Sequence, residues 1–285
     1  MDCFRSLIII FIITCLNVSL VHPQQNNIKI NLISNGHKLN AEFYPAAGET
    51  YLATVVLLHG YPGSEGDTLG LGDKLSANGI NVLTFNYQGT WSSEGRFSFE
   101  SSMQDVRTAI KFLKLKEVVN KFKIDTNNII VVGHSYGGAM ALTAALNFPE
   151  IKRIISIAGA DESVFGRKMK SNPQFRKIFS DMLNKSQYPT GPVKFNFKAN
   201  ITHWLNHLDD YDLVKYAEKL KDRDILLLGG WNDQAIVLEE HILPLFRKLQ
   251  QLKSKQVKIE VFNTNHSFGN VKKELNKTIL AWIKK

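Results

Sequence analysis

The sequence predicts an α/β fold: a doubly wound, mostly parallel sheet of eight strands with a helical cap insertion. Three observations predict it. Short unbroken apolar runs such as "VVLLHG", "IIVVGH" and "DILLLGG" have the texture of strands buried on both faces. Segments of helical period alternate with them, which calls for parallel strands joined by right-handed crossovers. At 285 residues, 44% hydrophobic and 21% charged, the chain suits one large α/β domain and is short for two.

The elements can be taken in order. Residues 1–24 read as a signal peptide or N-terminal anchor. Arg5 precedes an apolar run from Leu7 to Leu16, too short for a comfortable membrane span and about right for a signal core. No small-x-small triplet marks a cleavage site. Three fates stay open: cleavage near "VHPQQ", retention as a membrane anchor, or lipidation at Cys15 in "IITC". The expectation is an exported protein, secreted or periplasmic, with membrane attachment through the N-terminus in the last two cases. Both cysteines, Cys3 and Cys15, lie in this leader. A cleaved domain would hold no disulfide, thiol nucleophile or thiolate metal site.

Residues 25–285 form the predicted domain. "IKINLIS" and "KLNAEFY" alternate apolar and polar residues around "NGH", an antiparallel pair. "ATVVLLHG", "INVLTFNY", "NIIVVGH", "RIISIAG", "DILLLGG" and "VKIEVFN" supply the other strands. "FESSMQDVRTAIKFL" puts Phe99, Met103, Val106, Ile110 and Leu113 on one helical stripe, with Ser98 as N-cap. "SYGGAMALTAALN" ends before Pro149, and Pro244 in "LEEHILPLFRKLQQL" predicts a kink or a late start. "KELNKTILAWIKK" closes the chain. From about Asp161 to Arg223 no strand reads. "NPQFRKIFSDMLNK" and "ITHWLNHLDDYDLVKYAEKL" look helical, and the simplest reading is a cap over the carboxyl edge of the sheet.

The formal charge is +9. The lysines are scattered, with a mild concentration near the C-terminus, and no basic run interleaves with aromatics. A Lys-rich solvated surface fits this better than a nucleic-acid interface, and no nucleic-acid partner is expected.

Gly133-His134-Ser135-Tyr136-Gly137 is a G-x-S-x-G. The motif needs a serine at the tip of a tight strand-to-helix turn, with glycines where strand and helix cross. "NIIVV" precedes it and "GGAMALTAAL" follows, so the context fits. Serine needs a base, and the base an orienting acid. Asp233 in "GGWND" and His266 in "NTNHSF" each follow a strand at its carboxyl end, where doubly wound sheets place site residues. Asp161, just after "IISIAGA", is the rival acid. His203 and His207 stand four apart, a possible metal pair, but the glutamate of H-E-x-x-H is missing and no metal is expected. The glycine-rich turn "LLHGYPGS" offers the Tyr61 backbone N–H to an oxyanion, paired with that of Tyr136.

"HGYPGS", "NYQGTWSSEG", "GHSYGG", "GGWND" and "NTNHSF", in that order, resemble the α/β-hydrolase superfamily. The likeness is to its prolyl-oligopeptidase-like, dienelactone-hydrolase-like and serine-aminopeptidase-like esterase branch, over roughly residues 28–285. The resemblance implies a serine hydrolase acting on a small ester or amide substrate without metal or organic cofactor. Ser135 would be the nucleophile, His266 the base and Asp233 its orienter, with Tyr61 and Tyr136 forming the oxyanion hole. Where many relatives carry D-x-R-G-x-G-x-S, this chain has Asn86-Tyr87-Gln88-Gly89-Thr90-Trp91-Ser92-Ser93. The lost charges point to altered loop support, and Trp91 is a candidate lining residue of the acyl pocket. The same triad would also serve a peptidase, thioesterase or acyltransferase. A non-catalytic binding protein on this fold is the alternative of another class, and the complete triad argues against it.

Overall fold

The computed structural model describes residues 27–64, 66 and 68–285. The expected leader, with Cys3 and Cys15, lies outside the described residues.

The strands are β1 (Ile28–Ser34), β2 (His37–Tyr44), β3 (Leu52–Leu58), β4 (Asn81–Phe85), β5 (Ile124–His134), β6 (Arg153–Ile157), β7 (Asp224–Gly230) and β8 (Val257–Phe262). They form one eight-stranded sheet in the order β1-β2-β4-β3-β5-β6-β7-β8. β1 pairs antiparallel with β2, and β2 antiparallel with β4; every later pairing is parallel. The alternating pattern of β1 and β2 goes with antiparallel pairing at one edge, the apolar runs of β3 to β7 with the buried interior of the sheet, and the alternating β8 with its other edge. Val55, Val56, Val82, Leu83, Ile130, Val132, Ile154 and Ile155 are fully buried from both sides. Each such side chain contributes roughly 1.5–3 kcal/mol relative to exposure.

The helices are α1 (Leu71–Ser76), α2 (Phe99–Leu113), α3 (Lys116–Phe122), α4 (Tyr136–Asn147), α5 (Glu162–Ser171), α6 (Pro173–Ser186), α7 (Phe197–Asn206), α8 (Leu238–His241), α9 (Leu243–Gln251) and α10 (Lys272–Ile283). Ser98 caps α2: its hydroxyl accepts from the Ser101 N–H, and the Ser98 N–H donates back to the Ser101 hydroxyl. Pro244 acts as read, splitting one periodic segment into α8 and α9.

The chain winds outward from β3 to β4, then returns past β3 to β5. The sheet therefore reverses direction between β3 and β5, and the crevice at their carboxyl ends is where such sheets bind ligands.

Between β6 and β7 lies the excursion that lacks strands. It differs from the sequence reading in two ways. α5 is a helix that the periodicity did not reveal, because Gly166 interrupts "ESVFGRKMKS". The long segment expected to be helical to residue 220 stops at Asn206 and continues as 3-10 turns at Leu208–Tyr211 and Ala217–Leu220. Asp209, Asp210 and Asp212 fall there, and short acidic side chains that bond nearby backbone favour turns; the Asp212 carboxylate accepts the Lys215 N–H. Met169, Trp204, Leu208 and Tyr211 form a small second core beneath this excursion. No helix among the described residues is long and apolar enough to cross a membrane.

Candidate active site

Ser135 joins β5 to α4 with φ 57° and ψ −120°. A non-glycine residue held there costs of order 1–3 kcal/mol and persists only where its surroundings over-determine it. They do so here. The Ser135 N–H donates to the Ile157 carbonyl at 2.9 Å, and its carbonyl accepts from Ala139 at 3.0 Å. The two motif glycines are required by contact: a Cβ on Gly133 would lie 2.1 Å from the Gly137 oxygen, and one on Gly137 would lie 2.3 Å from the Leu58 oxygen.

The loop after β3 runs alongside. A Cβ on Gly60 would stand 3.2 Å from the Ser135 Cβ, so the backbone leading into Tyr61 passes beside the serine. Gly63 closes the turn by donating to the Gly60 carbonyl at 2.8 Å. Tyr136 opens α4, where N–H groups lack helical partners and the dipole favours negative charge. His59 is buried and its Nδ1 lies 2.7 Å from the Gly60 carbonyl. Burial lowers its pKa to about 4, despite the opposing Gly60 bond, so it is a neutral support for the loop.

Asp233 follows β7 and His266 follows β8. Their side chains meet, with His266 Nδ1 2.7 Å from Asp233 Oδ2. Asp233 Oδ1 accepts the N–H groups of Ala235 and Ile236, each at 2.9 Å. Burial pushes the Asp233 carboxyl up, but the His266 bond and these two amides outweigh it and hold it below its ordinary value. An ionised Asp233 keeps the imidazole proton on Nδ1 and leaves Nε2 as the acceptor. The rival acid does other work. Asp161 caps α5 through the Ser163 N–H at 3.0 Å and accepts from the Leu213 N–H at 3.2 Å.

Trp91 departs from expectation. It lines neither cavity at Ser135. Its φ is 51°, and its indole N–H donates to the Gly63 carbonyl at 2.7 Å, with Pro62 at 3.1 Å. It braces the Tyr61 loop from outside and leaves the ring half exposed. The altered loop support has a visible form: Gln88 donates to Asp105 through its backbone N–H at 2.8 Å and its side-chain amide at 2.7 Å.

His134, inside the serine motif, turns toward the base: its Nε2 donates to the His266 carbonyl at 2.9 Å, and the two rings lie 4.8 Å apart. The partner is a backbone oxygen far along the chain, and no sequence signal marks it. His203 and His207 tie α7 down, with His203 Nε2 3.0 Å from Glu100 Oε1 on α2 and His207 Nδ1 2.8 Å from the His203 carbonyl.

Two cavities meet at Ser135 and His266. One is an open polar cleft of about 1040 Å³ that includes His59, Asn232, Gln234, Asn265 and Lys272. The other is an apolar cavity of about 360 Å³ walled by Phe97, Phe99, Phe165, Phe179 and Trp204, and it reaches under α5, α6 and α7. Tyr61 borders both, and its hydroxyl is 2.6 Å from the Ser186 hydroxyl at the end of α6.

Comparison with known proteins places this geometry. The chain is 27% identical over 160 residues to the quorum-quenching protein AidA of Acinetobacter baumannii, covering 54% of this chain and 51% of that protein. It is 34% identical over 110 residues to a proline iminopeptidase of Saccharolobus solfataricus, covering 39% of this chain and 34% of that one. It is 27% identical over 116 residues to cutinase 1 of Thermobifida cellulosilytica, covering 40% and 42%. The matches thus span about half or less of these relatives. Among solved structures, an esterase of Pyrococcus furiosus superposes with a TM-score of 0.66 at 17% identity, covering 91% of this chain and 90% of that chain. An esterase of Exiguobacterium antarcticum superposes with a TM-score of 0.58 at 18% identity, covering 90% and 100%. These two show the fold. Residues 50–237, more than half of the chain, match the family described as "Serine aminopeptidase, S33". The chain belongs to that family, within the α/β-hydrolase superfamily.

Proposed function

We propose that the protein is a serine hydrolase that cleaves carboxylic esters through an acyl-enzyme on Ser135. The observation that carries this is the strained Ser135, which borders two cavities together with a His266 held by a buried, ionised Asp233. His266 Nε2 takes the Ser135 proton as Oγ attacks the ester carbonyl. The oxyanion forms against the N–H groups of Tyr61 and Tyr136. Losing one such donor costs typically about 3 kcal/mol. His266 then gives its proton to the departing alcohol, and water enters from the polar cleft, is deprotonated by His266 and releases the acid. Asp233 stabilises the imidazolium throughout without itself taking the proton.

In this reading the apolar cavity holds the acyl group, the polar cleft holds the alcohol, and the excursion between β6 and β7 is the cap. Trp91 is excluded from the acyl-binding residues. The esterases and cutinases among the similar proteins support the ester reading. The family description and the iminopeptidase support a second, an amide or peptide substrate on the same triad. Matched nitrophenyl esters and nitroanilides of one acyl group separate them. Ester turnover that vanishes in Ser135→Ala supports the first, and faster nitroanilide cleavage the second. Export on the leader belongs to the same proposal. N-terminal sequencing of protein from medium and membrane fractions tests it.

A further inference from the structure

The acyl cavity holds a carboxyl that ester cleavage does not use. Glu162, the first residue of α5, lines it and is 5% exposed. Among the described residues no hydrogen bond to its carboxyl is found, and the Trp204 indole N–H in the same lining is also unmet. Buried polar groups in folded proteins are nearly always met, so one left open at a ligand cavity needs an explanation. Burial, and then the neighbouring Asp161 carboxylate, push its pKa up to about 8. It is therefore largely a neutral carboxyl at neutral pH, able to donate one hydrogen bond and accept others.

The walls around it are flat. Phe165 lies 6.1 Å from Phe175 at 7°, 5.5 Å from Phe179 at 27°, and Phe99 lies 5.4 Å from Trp204 at 33°. Such faces favour another ring in offset or edge contact. The lining has no Asp, Lys or Arg, and Glu162 is its one carboxyl. The volume, about 360 Å³, is at the small end of the range for small-molecule sites, about 300–1,000 Å³.

We propose that Glu162 makes the enzyme selective for esters whose acyl group ends in an aromatic ring carrying a hydroxyl, with the ring between the aromatic walls and the hydroxyl on the Glu162 carboxyl. The proposal rests on Ser135 as nucleophile and on this cavity as the acyl side. A hydroxyl donates and accepts, as a neutral carboxyl does. A plain alkyl or phenyl group fills the space and leaves the carboxyl unmet. An ammonium group would have to be stripped of water to meet a carboxyl that is itself largely protonated at neutral pH.

The test compares kcat/KM for ethyl esters of 3-phenylpropanoic acid, its 3-hydroxyphenyl and 4-hydroxyphenyl analogues, and its 4-(aminomethyl)phenyl analogue. The expected result is a preference of about tenfold or more for one hydroxyphenyl ester over the phenyl ester. Glu162→Leu should bring that ratio to about one or below, and Glu162→Gln should keep part of it. A wild-type ratio within about twofold of one overturns the proposal. So does an unchanged ratio in Glu162→Leu, or a preference for the ammonium ester. If Glu162→Leu does not fold, the wild-type ratio and Glu162→Gln decide. Turnover of the phenyl ester without hydroxyl preference refutes this inference alone. No turnover of any ester, with no labelling of Ser135 by a fluorophosphonate, removes the ester reading beneath it.

Discussion

Glu162→Gln should stabilise the protein, and by an amount that depends on pH. In the folded protein the carboxyl moves from an ordinary 4.5 to about 8, first because burial disfavours its charge and then because Asp161 lies beside it. The unfolded chain loses this proton near pH 4.5, and the folded one keeps it to about pH 8. Between these values the unfolded state binds fewer protons, so stability falls as pH rises, by about 1.4 kcal/mol per pH unit. The penalty is absent below about pH 4.5 and complete above about pH 8, where it totals of order 5 kcal/mol; at pH 7 it is about 3 kcal/mol. Gln has nearly the same shape and no charge, so the variant escapes the penalty. Urea denaturation of both proteins at pH 5, 7 and 9 gives the difference directly, since other titrating groups are largely common to both. The variant should match the wild type near pH 5 and exceed it by several kcal/mol at pH 9. With about 2–4 °C per kcal/mol for a domain of this size, the gap in Tm at pH 9 should be about ten degrees or more. A difference curve flat from pH 5 to 9 would refute the reasoning, because it would mean that the Glu162 carboxylate is solvated or paired in the folded state.

Three further outcomes follow from the site. Asp233→Asn replaces the acceptor for the His266 Nδ1–H and should lower kcat by about 10³–10⁴-fold with little change in KM, measured on a nitrophenyl ester. Gly137→Ala places a methyl group 2.3 Å from the Leu58 oxygen, a backbone atom, and should cost roughly 3 kcal/mol or more in denaturation experiments. Trp91→Phe removes the bonds to the Gly63 and Pro62 carbonyls and loosens the Tyr61 loop; kcat should fall several-fold with KM nearly unchanged, and the spread of acyl lengths accepted should not alter.

Much of this architecture was legible because burial writes itself into periodicity. The inner parallel strands are mainly apolar runs, whereas the antiparallel pair at one edge and β8 at the other alternate. The serine was legible because its turn demands glycines on both sides. Asp233 and His266 were legible from their position, each in the loop at the carboxyl end of a late strand. What stayed hidden depends on contacts between distant segments. Trp91 lies in a loop of no fixed period, and its φ of 51° aims it at Gly63 rather than at a cavity. His134 takes its role from the His266 backbone carbonyl, which has no residue signature. Glu162 sits in "GADESV", a polar stretch that reads as surface. The fold brings it into one cavity lining with aromatic residues of α2, α5, α6 and α7, and it is buried there. The excursion misled for the opposite reason: "DDYD" sits inside a helical-looking period, and the Asp212 carboxylate bonds the Lys215 N–H in a turn instead.

Fluorophosphonate labelling of the intact protein is the most direct test of Ser135 as a nucleophile activated by His266. One equivalent of label is expected on the Ser135 peptide by mass spectrometry, none in Ser135→Ala, and labelling slowed by at least about a thousandfold in His266→Ala. A folded wild-type protein that takes no label, or that labels equally well without His266, would contradict that role.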